Sequence, residues 1–354
     1  MKVALFEHGF SHTEILLSQI SFLIDSRIEV HLIGRSSEIA KIYKIPSNIN
    51  VYCSWEKKNM FFSILNVKKY LKKNQIKIII LNSAEGKLIQ YFCMLSNKKI
   101  QKIGIIHNLH KIGESFTQNR ILANVDKVFV LSRYMLKYFL TLKQNKPAEY
   151  FYSLVKPDIK KDKKIKPCNE FWIAVPGVIE YRRKDLLSVV SILPKIKKSP
   201  IKFVFLSNSN IQDGAEFKLV IEKNNFQDYC IFFNEFLTER LMYSYLSECC
   251  AILPLITPNI DEYEHFSSTK ISGAFNLALQ TKLPLLLHTA LAHNIEYKSC
   301  SIYYDNYTFA SKLFELIDSC QNPLPSEEKI IEESLTYEFQ QKKFVNFILD
   351  NQFS

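Results

Sequence analysis

The sequence lacks the features that would indicate a membrane-spanning, secreted or zinc-binding protein. No run approaches the roughly 18 consecutive apolar residues of a transmembrane helix. The N-terminal residues MKVALFEHGF lead straight into a strand pattern, without the cleavage region of a signal peptide. The eight cysteines include no C-x-x-C pair, so we predict neither a zinc site nor a disulfide framework. We therefore expect a cytoplasmic protein with reduced cysteines.

Glycine is scarce as well, with 8 among 354 residues, and no G-x-G-x-x-G fingerprint follows a strand pattern. One glycine stands out in FWIAVPGVIEYRRKDLL, residues 171–187, where a buried-strand pattern turns at Pro176-Gly177 and later enters an amphipathic helix. Three cations lie in the turn: Arg182, Arg183 and Lys184. A glycine lets a ligand approach the backbone, and free amides with nearby cations favour an anion. The segment is either a phosphate cradle or an ordinary connection with solvated basic residues.

The overall composition fits a globular chain that is long enough for two domains. Its 354 residues are 47% hydrophobic and 23% charged, which supports two substantial cores. The net charge of +11 favours an anionic partner, which can be nucleic acid, an acidic membrane surface or a phosphorylated small molecule. Charge alone does not choose among these partners.

Strand and helix patterns alternate twice along the chain. Six short strand patterns rich in Val and Ile occur before residue 132, and six more occur between residues 171 and 304, with helical spacing between them. This alternation predicts an α/β protein with two doubly wound, Rossmann-like domains and a ligand cleft between them. We predict domains at residues 1–155 and 169–325, a lysine-rich linker at 156–168, and a C-terminal helix within 326–354 that can cross back to the first domain.

The second half resembles the donor domain of GT-B-type glycosyltransferases, especially those of family 4. PGVIEYRRKDLL is similar to the family's G-R-L-x-x-x-K-G segment, in which an Arg and a Lys hold the donor diphosphate. Val178 replaces that Arg, whereas Arg183 falls close to the Lys position with Arg182 and Lys184 beside it. A guanidinium can bind a diphosphate through two parallel hydrogen bonds. The resemblance therefore implies donor binding by Gly177 and these three cations.

Two further segments carry the same resemblance. IFFNEFLTERLMYSYLSECCAILPL, which begins at Ile231, is similar to a run whose loop holds the nucleotide base, and this implies that Asn234, Glu235 and Phe236 bind it. SSTKISGAFNLALQTKLPLLL, residues 267–287, resembles the segment whose helix N-terminus faces the donor phosphates. This second resemblance implies that four more residues bind the donor: Lys270, Ser272, Gly273 and Ala274.

A carboxylate pair that is usual in the family is missing here. Two Glu residues eight positions apart normally touch the transferred sugar and the ribose, and their positions fall near Thr269 or Lys270 and near Asn276 or Leu277. Glu262 or Glu264, which lie upstream, can substitute for the pair. The resemblance therefore leaves open whether the reaction retains or inverts the anomeric configuration.

The first half offers candidate acceptor-binding and catalytic residues in two loops. IGIIHNLHKIGES resembles the H-N-x-x-P-H segment of bacterial members, which implies that His107, Asn108 and His110 line the acceptor site. The first strand pattern ends in EHGFSH, residues 7–12, where Gly9 is a further acceptor-binding candidate. Four residues are candidate bases for an inverting reaction, and they would bind sugar hydroxyls in a retaining one: Glu7, His8, His12 and His107. Glu7 and His12 can alternatively cap the first helix.

A basic amphipathic segment runs from Lys57 to Asn74 (KKNMFFSILNVKKYLKKN). Aromatic residues interleaved with lysines can lie on an anionic membrane, although a helix that covers a sheet with a solvated lysine face has the same pattern. The membrane interpretation suits a lipid-linked acceptor.

The resemblance implies a glycosyltransferase that moves a sugar from a nucleotide-diphosphate sugar to a glycan or lipid-linked acceptor in surface polysaccharide synthesis. We expect no metal and no cofactor beyond the donor, because no D-x-D motif is present and cations can stabilise the leaving group. We expect a protein that is free in the cytoplasm or peripheral on the inner face of the membrane. The alternatives are an anion-binding protein without catalysis, on membrane or nucleic acid, and a nucleotide-sugar epimerase. No recognised nucleic-acid module is present, so we expect no nucleic-acid partner.

Overall fold

A computed structural model describes residues 1–8, 13–39, 45–53, 60–96, 99–155, 165–321 and 332–350. The chain divides into two compact units. The first unit comprises Met1–Val155, Ser268–Ile271 and Ser334–Ser354. The second unit comprises Lys156–Ser267 and Ser272–Glu333.

The first unit is built on a parallel sheet of seven strands. The strands are β1 (Lys2–Phe6), β2 (Glu29–Gly34), β3 (Asn50–Cys53), β4 (Ile78–Leu81), β5 (Gln101–Ile105), β6 (Lys127–Val130) and β7 (Ala148–Tyr150). The helices between them are α1 (Thr13–Asp25), α2 (Ser36–Ile39), α3 (Met60–Lys73), α4 (Gly86–Leu95), α5 (Phe116–Asn124) and α6 (Arg133–Thr141). The strand order is β3-β2-β1-β4-β5-β6-β7, so the sequence order reverses between β1 and β4.

The second unit repeats this plan with six parallel strands in the order β10-β9-β8-β11-β12-β13. The strands are β8 (Phe171–Pro176), β9 (Ile201–Asn208), β10 (Cys230–Phe233), β11 (Cys249–Ile252), β12 (Leu285–His288) and β13 (Ser301–Tyr304). The helices are α7 (Leu186–Ile192), α8 (Gly214–Lys223), α9 (Glu239–Leu246), α10 (Gly273–Thr281) and α11 (Phe309–Gln321). The reversal lies between β8 and β11. The predicted α/β class with two doubly wound sheets is confirmed.

The central strands consist largely of buried apolar residues because helices cover both faces of a parallel sheet. β4 reads IIIL, and β8 reads FWIAVP with all but its first residue buried. Such runs leave few polar side chains within the sheet. Polar groups therefore collect beyond the strand ends, and in an open α/β sheet ligands bind at the carboxyl ends beside the reversal.

The last helix, α12 (Tyr337–Leu349), packs on the first unit. Its Phe344 ring stacks on Phe129 of β6 with a centroid separation of 4.8 Å. The Tyr337 hydroxyl donates to Asp25 at the end of α1 over 2.9 Å, and Gln340 Oε1 accepts from the Tyr152 amide over 2.9 Å. A C-terminal helix was predicted within 326–354, of which residues 326–331 and 351–354 lie outside the described part.

Four of the described strands and helices were not predicted from the sequence, namely α2, β7, α5 and α11. α5 buries Gln118 beside Ile121 and Leu122, so its apolar spacing is interrupted by a polar residue. β7 has only three residues, AEY, each half-buried at the end of the sheet. α5 and β7 therefore depend on contacts that local patterns do not encode.

Lys127 provides a test of how α12 is held. Its side chain is buried, and Nζ donates to the carbonyl groups of Phe347, over 2.7 Å, and Asp350 at the C-terminal end of α12. We expect Lys127→Met to lower the free energy of unfolding by about 2–3 kcal/mol, because both carbonyls lose a charged donor. Urea unfolding measures this loss, with exposed Lys77→Met as the control. Equal stability of the two variants would contradict this account of the helix.

Candidate functional site

Gly177 directly follows β8, at the reversal in the second sheet. Its φ of 82° lies in the left-handed region, which glycine adopts without steric cost. A Cβ at this position would meet a single atom within 4 Å, Lys184 Nζ at 3.8 Å. A ligand can therefore approach this turn closely from the side on which other residues carry a side chain.

Lys184 lies inside the turn instead of on the surface beside the arginines. The residue is 7% exposed, and Nζ donates to the Pro176 carbonyl over 2.7 Å. Burial, and then repulsion from the Arg183 guanidinium, lower the pKa of this amine to about 7. Lys184 therefore both supports the glycine turn and titrates near neutral pH.

Arg182 and Arg183 share two carboxylates. Arg182 pairs with Glu180 over 3.0 Å and with Glu262 over 2.7 Å, and its side chain remains 56% exposed. Arg183 lies 3.7 Å or more from the same carboxylates, with its side chain 36% exposed. Hydrogen bonding to Glu180 is the largest cause that raises the pKa of Arg182. Arg183 is thus the more loosely paired cation, and Glu262, expected as a substitute for the missing pair, lies against the arginines.

Asp185 fixes the start of α7 next to this turn. Its Oδ1 accepts from the Ser188 amide over 3.0 Å, as an N-cap does. Its Oδ2 accepts from Thr257 Oγ1 over 2.7 Å and from Asn259 Nδ2 over 3.1 Å. Thr257 and Asn259 were not predicted from the sequence, although polar residues soon after a buried strand were a usable signal.

The loops after β9 and β10 are joined by a side-chain hydrogen bond. Asn210 Nδ2 donates to the Asn234 carbonyl over 3.0 Å, and Asn208 Oδ1 accepts from the Asn210 amide over 2.8 Å. Glu235 is exposed, and Phe236 is 70% exposed at the carboxyl end of β10. The predicted base loop therefore presents an open aromatic ring, supported by an asparagine that the sequence did not indicate.

The N-terminus of α10 presents polar groups at the next strand end. Ser272 caps the helix, with Oγ accepting from the Ala274 amide over 3.4 Å, and Gly273 is exposed with open space at its Cβ position. Asn276 is buried, and its Oδ1 has no hydrogen-bond partner within the described residues. An acceptor of this kind can be satisfied by a ligand hydroxyl.

Lys270 and Glu264 are the remaining donor-site candidates of the second half of the sequence. Lys270 belongs to the first unit, not to the second with the other donor-site candidates, and its carbonyl accepts from the Tyr134 hydroxyl over 2.8 Å. Glu264 is exposed, and its carbonyl accepts from Ser267 Oγ over 2.9 Å.

In the first unit, a buried polar network occupies the reversal between β1 and β4. Glu7 follows β1 with no exposed surface, and its carboxylate accepts from Asn82 Nδ2 just after β4. Asn82 Oδ1 in turn accepts from Gln19 Nε2 of α1. Glu7 therefore acts within the core of this unit, and Asn82 and Gln19 are members that the sequence did not reveal.

His107 is oriented by the same network. Its Nε2 lies 2.6 Å from the Asn82 carbonyl, which can only accept, so Nε2 carries the proton. In the neutral ring Nδ1 is then the basic nitrogen. His110 lies in the following turn, where Asn108 Oδ1 accepts from its amide over 3.3 Å and also bonds to its ring.

His8 follows Glu7 and is half-buried. Burial, and then the Arg35 guanidinium, lower the pKa of its imidazole, so the neutral ring predominates at pH 7. A neutral imidazole at the carboxyl end of β1 can accept a proton. Gly9 and His12 of the same predicted loop lie outside the described residues.

The exposed face of α3 divides into an aromatic half and a basic half. Phe61 and Phe62 in its first turn are 57% and 60% exposed, whereas Ile64, Val67 and Leu71 are buried. Residues seven apart share a helix face, so Phe61 and Phe62 lie two turns from Lys68 and Lys69. Lys72 and Lys73 extend the basic half. Residues 57–59 of this predicted segment lie outside the described part.

The described residues contain neither a metal-binding cluster nor a membrane-spanning helix. No group of three or more His, Cys, Asp or Glu side chains there is arranged to hold a metal ion. No helix there is both long enough and apolar enough to cross a bilayer.

No family model and no curated protein matches the chain, but solved structures do. It resembles a glycosyltransferase from Rickettsia africae with a TM-score of 0.69 and 14% identity, over 99% of both chains. It also resembles the lipopolysaccharide outer core galactosyltransferase WaaB (TM-score 0.58, 13% identity, 98% of this chain and 99% of that one). A third similar structure is the UDP-GlcNAc 2-epimerase from Neisseria meningitidis bound to UDP-GlcNAc. Its TM-score is 0.63 at 12% identity, and the match covers 99% of this chain and 100% of that one.

The chain has the GT-B fold. Identities of 12–14% establish this architecture and no particular activity. Within the GT-B fold, each unit carries its polar cluster at the carboxyl edge where its own strand order reverses.

The ionisation of His8 tests the electrostatics of the first cluster. We expect its midpoint to lie below the ordinary 6.5, and to rise in Arg35→Met because the repulsive guanidinium is removed. NMR titration of the imidazole C–H signals measures both midpoints, and His8→Gln identifies the signal. A midpoint that does not move in Arg35→Met would refute the assigned cause.

Proposed function

We propose that this protein is a glycosyltransferase that moves a sugar from a nucleotide-diphosphate sugar to a glycan or lipid-linked acceptor. The observation that carries this proposal is the open glycine turn at Gly177, bordered by Lys184 Nζ and followed by Arg183, at the reversal of a parallel sheet. Such a turn suits the phosphates of a nucleotide. The names of two solved structures of the same fold, both glycosyltransferases, support the choice of reaction.

The donor would lie along the carboxyl edge of the second sheet. Arg183 and the exposed edge of Arg182 would bind the diphosphate, whose charge grows as the glycosidic bond breaks, and would stabilise it as a leaving group. Phe236 can stack on the base beside Asn234 and Glu235, and the buried Oδ1 of Asn276 can accept from a ribose hydroxyl. In this proposal the arginines neutralise the diphosphate, so neither a metal ion nor a further cofactor takes part.

The acceptor would lie on the first unit, with His8 as the group that meets its hydroxyl. The lowered pKa of His8 keeps it neutral and able to take the proton if the reaction inverts. In a retaining reaction the same imidazole would hydrogen-bond to a sugar hydroxyl. Glu7, Asn82 and His107 would position this loop, since Glu7 has no exposed surface with which to reach an acceptor.

Nucleotide-sugar epimerisation is the second candidate, favoured by the likeness to the Neisseria meningitidis enzyme over essentially the whole chain. The two reactions differ in the bonds they break. A 2-epimerase breaks a C2–H bond and re-forms it, so its product acquires deuterium in D₂O without any acceptor. A glycosyltransferase releases nucleoside diphosphate when an acceptor is added.

A panel of UDP-, GDP-, CDP- and dTDP-sugars therefore separates the candidates. We expect release of nucleoside diphosphate that rises with added acceptor, and no deuterium at C2 of the recovered sugar. Deuterium from the solvent at C2, without sugar transfer to an acceptor, would support epimerisation instead of glycosyl transfer. If no nucleotide sugar binds, the anion-binding alternative without catalysis gains support.

Arg183 provides the sharpest mutational test of the donor site. We expect Arg183→Ala to weaken donor binding or turnover at least about tenfold, the scale of one lost charged contact to phosphate. Calorimetric titration with the nucleotide sugar measures the affinity. The control is Arg120→Ala, which removes an exposed guanidinium near Phe116 in the first unit. Unchanged affinity in Arg183→Ala would mean that the diphosphate binds elsewhere.

We also propose that α3 binds the protein to an anionic membrane, on the cytoplasmic face where a lipid-linked acceptor is met. Phe61 and Phe62 would enter the headgroup region, while the lysines of the basic half bind anionic lipid at about 1 kcal/mol each. This arrangement suits a peripheral enzyme of surface polysaccharide synthesis.

Vesicle sedimentation tests this contact. We expect binding to phosphatidylglycerol-rich vesicles, weak binding to pure phosphatidylcholine, and at least about tenfold loss in the double variant Phe61→Ser/Phe62→Ser. Phe116→Ser removes an equally exposed ring from α5 and is the matched control. Equal binding by both variants would favour the alternative that α3 only covers the sheet.

A further inference from the structure

Lys184 is a buried amine that borders the open turn at Gly177. Of the three N–H groups of the charged form, one donates to the Pro176 carbonyl over 2.7 Å. The other two have no acceptor among the residues that the structure describes. Because Nζ is also the atom that borders the open side of Gly177, these donors lie where an approaching anion would enter.

The charged groups around Lys184 do not neutralise it. The Asp185 carboxylate is occupied by Ser188, Thr257 and Asn259, as described above. Glu180 in the same turn and Glu262 in the loop after β11 pair with Arg182 and Arg183.

Two further ionisable groups stand at the ends of β12 and β13, the two strands beyond β11 in the sheet. His288 ends β12 and Tyr304 ends β13, and the Asp185 charge acts on both. Burial lowers the pKa of His288 and raises that of Tyr304, so both are largely neutral at pH 7. With the arginines permanently charged, Lys184 is the group of this cluster that can change its charge near neutral pH.

We propose that binding of an anion in the Gly177 turn is coupled to uptake of one proton by the buried amine of Lys184, which lies innermost in that turn. In this state Nζ keeps its bond to Pro176 and donates the remaining protons to a phosphoryl oxygen. The identity of the anion as a donor diphosphate rests on the proposed function, whereas the anion site itself does not.

The direction of the pH dependence follows from the two states of the amine. Without ligand, burial and Arg183 lower the pKa to about 7, so the neutral amine predominates at pH 8. A bound anion favours the charged amine and raises this pKa, so binding takes up a proton between the two values. Affinity should fall as the pH rises above 7, by up to about tenfold per pH unit. Below about pH 6 the amine is already charged, and no uptake is expected.

Inorganic sulfate is the first probe, because it is a dianion that does not itself titrate between pH 6 and 9. Calorimetric titration at constant ionic strength, in two buffers of different ionisation enthalpy, gives both the affinity and the protons taken up. We expect uptake of about half to one proton at pH 8 in the wild type. Lys184→Met should bind sulfate at least about tenfold more weakly at pH 6.5, without uptake.

Lys184→Arg separates the charge from the titration. Arginine keeps a donor and a positive charge at every pH used, so we expect sulfate binding with neither uptake nor a fall above pH 7. Lys223→Met, at an exposed lysine of α8, should behave as the wild type. If Lys184→Met does not fold, judged by circular dichroism, the wild type and Lys184→Arg still decide the question.

Repeating the titration with UDP-GlcNAc separates this inference from the proposed function. Sulfate binding with proton uptake, but no binding of UDP-GlcNAc or any other nucleotide sugar, would keep the anion site and overturn the transferase. Sulfate binding without uptake in the wild type would overturn the inference, as would unchanged binding in Lys184→Met. Absence of sulfate binding at every pH would overturn it too.

Discussion

Helices cover both faces of each parallel sheet, so polar side chains can meet a ligand only beyond the strand ends. The strand order reverses once in each unit, between β1 and β4 and between β8 and β11. The connections that leave two such strands run in opposite directions across the sheet, which leaves a crevice between them. Glu7 and Asn82 follow the two strands of the first opening, and Gly177 follows the first strand of the second. The location of each polar cluster is therefore a consequence of sheet topology more than of the individual loops.

The three consecutive cations of the second unit have three different environments. Arg182 is held by two carboxylates at the surface, Arg183 contacts them more loosely, and Lys184 is enclosed next to Gly177. The enclosed position is costly for a charge, and a lysine can lose its proton where an arginine cannot. A lysine at the enclosed position can therefore be neutral, whereas the arginines at the surface stay charged.

The first unit uses buried neutral and acidic groups where the second uses cations. The Asn82 side chain bonds to both Glu7 and Gln19, and its backbone carbonyl accepts a hydrogen bond from His107 Nε2. The ends of β1, β4 and β5 are therefore joined in one network. Such a network holds the carboxylate inside the core at the carboxyl end of β1, next to His8 in the chain. Under the proposed function, this difference in charge suits an anionic donor on the second unit and a less charged acceptor on the first.

The sequence by itself determined the repeated α/β architecture, because short apolar strand patterns that alternate regularly with helical spacing leave few other arrangements. It also indicated Gly177 and the basic turn, whose residues are adjacent in the chain. Only the tertiary structure decided that Lys184 points inward while Arg183 does not, and that Glu262, Thr257 and Asn82 join these clusters. Those contacts connect residues more than 70 positions apart, as in the pairs of Asp185 with Thr257 and of Glu7 with Asn82, and no local pattern encodes such pairs. Helix α5 was not predicted for the same reason. Its Gln118 is buried because Nε2 donates to the carbonyl of Ala84, a residue 34 positions earlier in the chain.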